Sequence, residues 1–98
     1  MKNKLIKLSA IAVLLASSNL YAGDRYVCKH GDKERVIAVE YKYPDKKLPC
    51  KVTYLKDGTT TDVWSALNVT GYCEQKAEAF AQKQTDLGWA CSKDGEEK

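Results

Sequence analysis

The stretch CKVTYLKDGTTTDVWSAL, residues Cys50–Leu67, decides the fold, because it places Asp57-Gly58 between two runs of strand-forming residues. Both central residues of a type I′ turn need a positive φ angle, which Asp and Gly tolerate better than most residues. A two-residue turn then places Tyr54 opposite Thr61 and fixes every later pair. The stretch therefore predicts a β-hairpin of known register.

This register assigns the side chains of the hairpin to two faces. The pairs expected on the inner face are Tyr54–Thr61, Val52–Val63 and Cys50–Ser65. Because side chains alternate along a strand, Trp64 falls on the outer face opposite Lys51, with Leu55 diagonally near. A large apolar ring left in water on that face would mark a contact surface, unless the C-terminal segment with Trp89 folds over it. We therefore predict that Trp64, Lys51 and Leu55 bind a partner.

Two more strands are expected before the hairpin, on either side of a turn at residues 30–33. The first is centred on Tyr26–Cys28, and the second runs from Glu34 to Lys42. One side of the second strand is strongly hydrophobic and is expected in the core; it consists of Ile37, Val39 and Tyr41. Two prolines in residues 43–49 then predict an exposed loop, whose Tyr43 is a further candidate for partner binding.

A helix is expected after the hairpin, over residues Tyr72 to Leu87. Asn68 or Thr70 can cap its start, and Gly88 is placed to end it. The stripe expected to face the sheet is narrow and contains Cys73, Ala77, Phe80, Ala81, Gln84 and Leu87. The sequence thus predicts an α+β fold, in which a four-stranded antiparallel sheet (a meander) is followed by one C-terminal helix packed on it. Residues 89–91 are expected to form a short extended piece.

The N-terminus has the features of a secretory signal peptide: a basic start, a short apolar run from Leu8 to Leu15, and a small residue, Ala22, before the expected cut. A membrane-spanning helix would need about 20 apolar residues, and polar residues interrupt this run earlier. We therefore predict a signal peptide at 1–22, a single disulfide-linked domain at 23–92 and a disordered tail at 93–98. The expected location is the periplasm, with no membrane insertion after the signal peptide is cleaved.

Removal of the signal peptide changes the charge of the chain. The whole chain has 16 basic and 13 acidic residues, and three of the lysines leave with the signal peptide. The remaining chain of about 76 residues has equal numbers of each sign. It has no concentrated basic face, so nucleic acid is not an expected partner.

All four cysteines, Cys28, Cys50, Cys73 and Cys91, lie in the exported part of the chain. An even number of cysteines in a small exported domain predicts two disulfides. A zinc site is disfavoured, because the sequence has no C-x-x-C motif and contains a single histidine. A thioredoxin-like site is disfavoured because it also needs a C-x-x-C motif. Cys50 begins the third strand, close to where the fourth ends and the helix begins, so it should pair with Cys73. Cys28 is then left to pair with Cys91.

The sequence shows no arrangement typical of catalysis. His30 lies two residues from Cys28, but a disulfide-bonded cysteine cannot act as a nucleophile. No two carboxylates are brought together beside an apolar pocket by strand or helix spacing, as acid–base catalysis would need. We therefore expect no enzyme activity, no cofactor and no metal ion.

Four segments, PCKVTY (49–54), VWSA (63–66), GYCE (71–74) and GWAC (88–91), resemble a group of short exported proteins of Gram-negative bacteria of unassigned function. The resemblance spans most of the mature chain and implies the periplasm. Tyr26-Val27-Cys28 and the β-rich middle are also similar to periplasmic inhibitors of c-type lysozymes. The serine-glycine and tyrosine-lysine loop elements that those inhibitors place on the enzyme are missing here, so no inhibitory residues carry over.

Together these features predict a non-enzymatic periplasmic module that binds a protein, such as an inhibitor or an immunity protein. The alternative is an envelope accessory protein that binds glycan or a membrane-protein assembly. The expected partner is a protein of the periplasm or envelope, and the expected oligomeric state is a monomer or a weak dimer.

Overall fold

A computed structural model describes residues 20–94 of the chain. The elements in chain order are β1 (Tyr21–His30), β2 (Lys33–Tyr41), β3 (Cys50–Lys56), β4 (Thr59–Ala66), α1 (Tyr72–Asp86) and β5 (Ala90–Lys93). The predicted signal peptide falls mostly on residues 1–19, outside the described residues, whereas Tyr21 and Ala22 belong to β1. Of the predicted tail, residues 95–98 lie outside the described part, and Lys93 ends β5.

The five strands form one antiparallel sheet in the order β4-β3-β2-β1-β5. The predicted α+β class and the single helix are confirmed, but the prediction of four strands is wrong by one. The short extended piece expected at 89–91 is part of β5, which pairs with β1 and places Cys91 opposite Cys28. Four residues are too few to show the alternation of a strand in the sequence. Pairing with β1 and the Cys28–Cys91 disulfide are what hold β5 in the sheet.

The turn at the centre of the hairpin is confirmed, with φ of 55° at Asp57 and 79° at Gly58. The predicted register also holds from the turn to the pair Thr53–Asp62. Beyond that pair a β-bulge makes Val63 an extra residue, so Trp64 lies opposite Val52. The expected pairs Val52–Val63 and Cys50–Ser65 are therefore wrong, and the partners are Val52–Trp64 and Cys50–Ala66.

The core lies on one face of the sheet, between the strands and α1. Ile37, Val39 and Tyr41 are buried there as predicted, with relative exposures of 0%, 1% and 8%. On the opposite face Val36, Ala38 and Leu55 are half-buried, and no helix of residues 20–94 covers them. The fold therefore has two layers, with one side of the sheet open.

Helix α1 presents small side chains to the sheet: its buried residues are Cys73, Ala77, Ala81 and Gln84. The predicted stripe is confirmed except at Leu87, which follows the helix and is 65% exposed. The expected cap by Asn68 or Thr70 is wrong, because the N-cap is Gly71 and no side chain caps the helix. Gly88 follows the helix with a φ of 103°, a conformation that suits glycine and ends the helix as predicted.

Both predicted disulfides are confirmed. Cys50 is joined to Cys73 in the first turn of α1, and Cys28 is joined to Cys91 in β5. The two bridges therefore hold the first turn of α1 and the segment after α1 to strands of the sheet. The described residues contain no helix that is long and apolar enough to cross a membrane.

Replacing Val39 by alanine should lower the free energy of unfolding by about 2 kcal/mol, because its side chain is enclosed between the sheet and α1. The same change at Val36, on the open face, should cost less than about 1 kcal/mol. Urea unfolding of the two variants measures the difference. Equal losses would mean that the second face is covered as well, contrary to this fold.

Removing each disulfide should destabilise the domain according to the length of the loop that it closes. The bridges span 63 residues (Cys28–Cys91) and 23 residues (Cys50–Cys73). Paired alanine substitutions should therefore cost about 4 and about 3 kcal/mol, respectively, in the chain-entropy model. Urea unfolding of both double variants tests this order. A larger loss of stability on removal of Cys50–Cys73 than on removal of Cys28–Cys91 would contradict it.

Candidate partner-binding cleft

An open cleft of about 350 Å³ lies between α1 and β4, on the helix-covered side of the sheet. β4 is at the edge of the sheet, so beyond the cleft there is no further strand among residues 20–94. The side chains that line the cleft are Trp64, Lys76, Ala79, Phe80, Lys83 and Gln84. It therefore combines two aromatic rings with two positive charges.

The aromatic wall is held by edge-to-face ring contacts. The ring centroids of Trp64 and Phe80 are 5.3 Å apart, with an interplanar angle of 83°. On its other side Phe80 contacts Tyr54, at 4.7 Å and 66°. Such contacts are favourable beyond the area that they bury, so the half-buried Trp64 ring has a defined orientation toward the cleft.

Trp64 reaches this wall because of the β-bulge in β4. The extra residue, Val63, shifts all later side chains to the opposite face, as a register change of one residue must. The prediction that Trp64 lies on the outer face opposite Lys51 is therefore wrong. Trp89 does not cover it either, since Trp89 contacts His30 and Arg35 elsewhere on the domain.

Two lysines on α1 flank the aromatic wall. The Nζ atom of Lys76 lies 5.6 Å from the ring centroid of Trp64 and 5.5 Å from that of Tyr72, which is within the range of cation–π attraction. Lys83 is exposed at the far end of the same helix face. Neither lysine forms a salt bridge with a carboxylate of the described residues. The cleft is thus positively charged on one wall.

The inner end of the cleft is built from a buried polar contact. Gln84 is only 3% exposed, and its Oε1 atom accepts a hydrogen bond of 2.7 Å from Nη1 of Arg35 in β2. The Arg35 guanidinium in turn stacks 3.9 Å above the ring of Trp89. These contacts tie the last turns of α1 to the sheet, so the floor of the cleft is fixed.

The four residues predicted to bind a partner do not form one surface. Trp64 lines the cleft, whereas Lys51 and Leu55 are on the open face of the sheet. Lys51 lies next to Asp62, with 3.4 Å between Nζ and Oδ2. Tyr43 is 43% exposed in the loop between β2 and β3. The structure therefore keeps Trp64 as a candidate and separates it from the other three.

The two lysines of the cleft, Lys76 and Lys83, are not among the residues that the sequence predicts to bind a partner. Their positions relative to Tyr72, four and eleven residues later, put all three on one side of α1. This spacing is visible in the sequence, but its meaning depends on knowing that Trp64 faces the same way.

A second cluster joins β2 to the start of α1. The hydroxyl group of Tyr41 donates a hydrogen bond to Oε2 of Glu74, and the other carboxylate oxygen, Oε1, is buried without a hydrogen-bond partner in residues 20–94. Burial raises the pKa of the Tyr41 hydroxyl above its usual range, and the hydrogen bond to Glu74 and the charges of Glu74 and Asp24 raise it further. At neutral pH Tyr41 is therefore a protonated donor.

A shallow apolar pocket of about 300 Å³ opens at the C-terminal end of β4, between Leu20, Pro49 and Leu67. Leu67 is 79% exposed and forms one wall. Leu20 belongs to the segment that the predicted signal cleavage removes, so the processed chain would lack the opposite wall. This pocket is a weaker candidate than the cleft.

The described residues contain no group of three or more His, Cys, Asp or Glu side chains that could hold a metal ion. All four cysteines are in disulfides. The side chains that line the cleft offer apolar contact, cation–π attraction and positive charge.

Comparisons with known proteins find no matching family model, no similar curated protein and no similar solved structure.

Replacing Tyr41 by phenylalanine should lower the free energy of unfolding at pH 7 by about 1–3 kcal/mol, because it leaves Glu74 without its donor. The substitution should also change how the free energy of unfolding depends on pH. A hydroxyl whose pKa is raised on folding stabilises the native state below its ordinary pKa of about 10, and this stability is lost as the pH rises above that value. Between pH 9 and 11, the free energy of unfolding should therefore fall less in Tyr41→Phe than in the unmodified protein.

Urea unfolding at several pH values measures this loss, and Tyr43→Phe, which removes an exposed hydroxyl, is the matched control. If the free energy of unfolding falls with pH as steeply in Tyr41→Phe as in the unmodified protein, the Tyr41 hydroxyl is not held by Glu74.

Proposed function

We propose that this chain is a non-enzymatic protein-binding module of the periplasm, and that it holds an acidic segment of its partner in the cleft between α1 and β4. The observation that carries the proposal is the pairing of an aromatic wall, Trp64 and Phe80, with two lysines that have no carboxylate partner in the described residues. An inhibitor or an immunity protein would work in this way.

The aromatic wall would supply most of the affinity. Tryptophan is among the residues that contribute most at protein interfaces, because it buries a large area with few rotatable bonds. Trp64 is oriented by Phe80, so little conformational entropy would be lost when a partner side chain covers it. An apolar or aromatic side chain of the partner is the natural occupant of this part of the cleft.

The lysines would supply the selectivity for acidic sequences. Lys76 and Lys83 lie two turns apart on one side of α1, so two carboxylates about 10 Å apart could be neutralised together. Opposite charges across an interface steer association and reject like-charged competitors. An acidic segment is therefore favoured over a basic one.

The free edge of β4 would align an extended segment along the cleft. β4 pairs only with β3 among the described strands, and the outer side of an edge strand offers unpaired backbone donors and acceptors. Its first three residues are exposed threonines, which suit strand pairing. A partner strand beside β4 would point every second side chain toward Trp64 and the lysines.

The alternative, an envelope accessory protein that binds glycan or a membrane-protein assembly, has less support in this cleft. Sugar rings stack on the faces of aromatic side chains. Here the Lys76 ammonium group lies over the rings of both Trp64 and Tyr72, so it competes for these faces. A carboxylate that draws the ammonium group away fits the arrangement better than a neutral sugar.

The proposal predicts which peptides the oxidised domain selects from a random display library. Enriched sequences should carry two acidic residues around an aromatic or aliphatic residue, and their affinity should fall as salt is added. Enrichment of basic or neutral sequences, or no enrichment, would contradict the proposed cleft.

Charge reversal locates the site of the enriched peptide. The double variant Lys76→Glu/Lys83→Glu should weaken its binding by at least about tenfold, because attraction becomes repulsion. The control is Lys33→Glu/Lys56→Glu, which makes the same charge change at two exposed positions away from the cleft. Equal losses in both double variants, measured by calorimetric titration, would show that net charge rather than the cleft determines binding.

A further inference from the structure

Glu74 is a half-buried side chain, and only one of its two carboxylate oxygens has a hydrogen-bond partner among the described residues. Oε2 accepts the hydrogen bond from Tyr41, while Oε1 is buried and has no hydrogen-bond partner in the part of the chain that the structure describes. Its position in the first turn of α1 favours a negative charge, because the helix dipole is positive there. A buried carboxylate oxygen without a hydrogen bond is costly unless a donor or a cation reaches it.

The backbone of Gly23 lies directly against the same cluster. A β-carbon added at Gly23 would be 2.8 Å from the hydroxyl oxygen of Tyr41 and 2.6 Å from Cε2 of its ring. From standard bond lengths, the nitrogen atom of Gly23 is then at most about 6 Å from that hydroxyl oxygen. Gly23 also lies where the pairing of β1 with β2 is irregular, between Ala22 and Arg25.

We propose that cleavage after Ala22 makes the new α-ammonium group of Gly23 the ionic partner of the Glu74 carboxylate. Hydrolysis of the Ala22–Gly23 peptide bond converts an amide nitrogen into an amine, which takes up a proton and presents three N–H donors. The ammonium group can donate to Oε1 of Glu74 while Tyr41 keeps Oε2. The processed N-terminus would thereby fasten the start of β1 to α1.

Cleavage also removes what holds this end of β1 in the uncleaved chain. Tyr21 pairs with Tyr41 and Ala22 with Glu40, and both pairs are lost when β1 begins at Gly23. An ammonium group held by Glu74 replaces them with a single charged contact. The inference depends on the predicted cleavage site and is independent of the proposed cleft.

Other charges face this position from each neighbouring element. Asp24, the next residue in β1, is 3.7 Å from Lys93 of β5, which already neutralises part of its charge. Lys47, in the loop after β2, has its Nζ atom 5.8 Å from the ring centroid of Tyr41. Asp45 and Lys46 of that loop line a pocket together with Gly23 and Tyr41. Among the carboxylates of these residues, Glu74 is the one with a buried oxygen that lacks a hydrogen-bond partner in the described part of the chain.

The test uses the exported, processed protein, whose first residue is established by mass spectrometry. If the processed protein starts with Gly23, the pKa of its α-amino group should lie at least about one pH unit above the ordinary range of 7.7–8.0. NMR of the protein with labelled glycine measures this pKa. The pKa should return to that range in Glu74→Gln. A mature chain that starts at another residue, or an ordinary pKa in the unmodified protein, would overturn the inference.

Two controls separate Glu74 from its neighbours. In Asp24→Asn the raised pKa should persist; a shift that disappears there and survives in Glu74→Gln would assign the ammonium group to Asp24 and overturn the proposal. A chain that starts at Ala22 carries the same charge one residue away, and its α-amino group should titrate in the ordinary range. The stabilisation should be present below pH 8 and lost as the pH rises through the raised pKa.

Discussion

The attachment of α1 at both ends is the constraint on which the rest of the structure depends. The helix buries alanine, cysteine and glutamine side chains against the sheet, and these offer little apolar area for a single covering layer. Cys50–Cys73 holds its first turn to β3, and Cys28–Cys91 holds the segment after it to β1. With α1 held at this position, Phe80 lies over β3 and β4, and Lys76 and Lys83 face the sheet edge.

The two faces of the sheet consequently have different properties. On the covered face, the spaces left at the edges of a narrow helix become the cleft beside β4 and the Tyr41–Glu74 cluster beside β1. On the open face, half-buried aliphatic side chains lie among charged ones such as Lys51 and Asp62. Both candidate sites of this domain thus lie where one small helix leaves parts of a five-stranded sheet uncovered.

Much of this arrangement could be predicted from the sequence, where local chemistry determines the structure. Asp57-Gly58 specified the turn, the alternation around Ile37 specified the buried face of β2, and the topology specified both disulfides. The bulge at Val63 could not be predicted, because Val63 and Trp64 are both apolar and either can face the core. That single extra residue moved Trp64 to the opposite face, and with it the candidate site.

Trp64 lies on the helix side of the sheet, against Phe80 and Lys76, and the proposed cleft depends on this position. Nuclear Overhauser effects from the Trp64 indole protons test it most directly in the oxidised protein. We expect cross-peaks to the ring of Phe80 and to the side chain of Lys76, at the short distances seen between these groups. Cross-peaks to Lys51 and Leu55 instead would place Trp64 on the open face and contradict the bulge, the cleft and the function proposed for it.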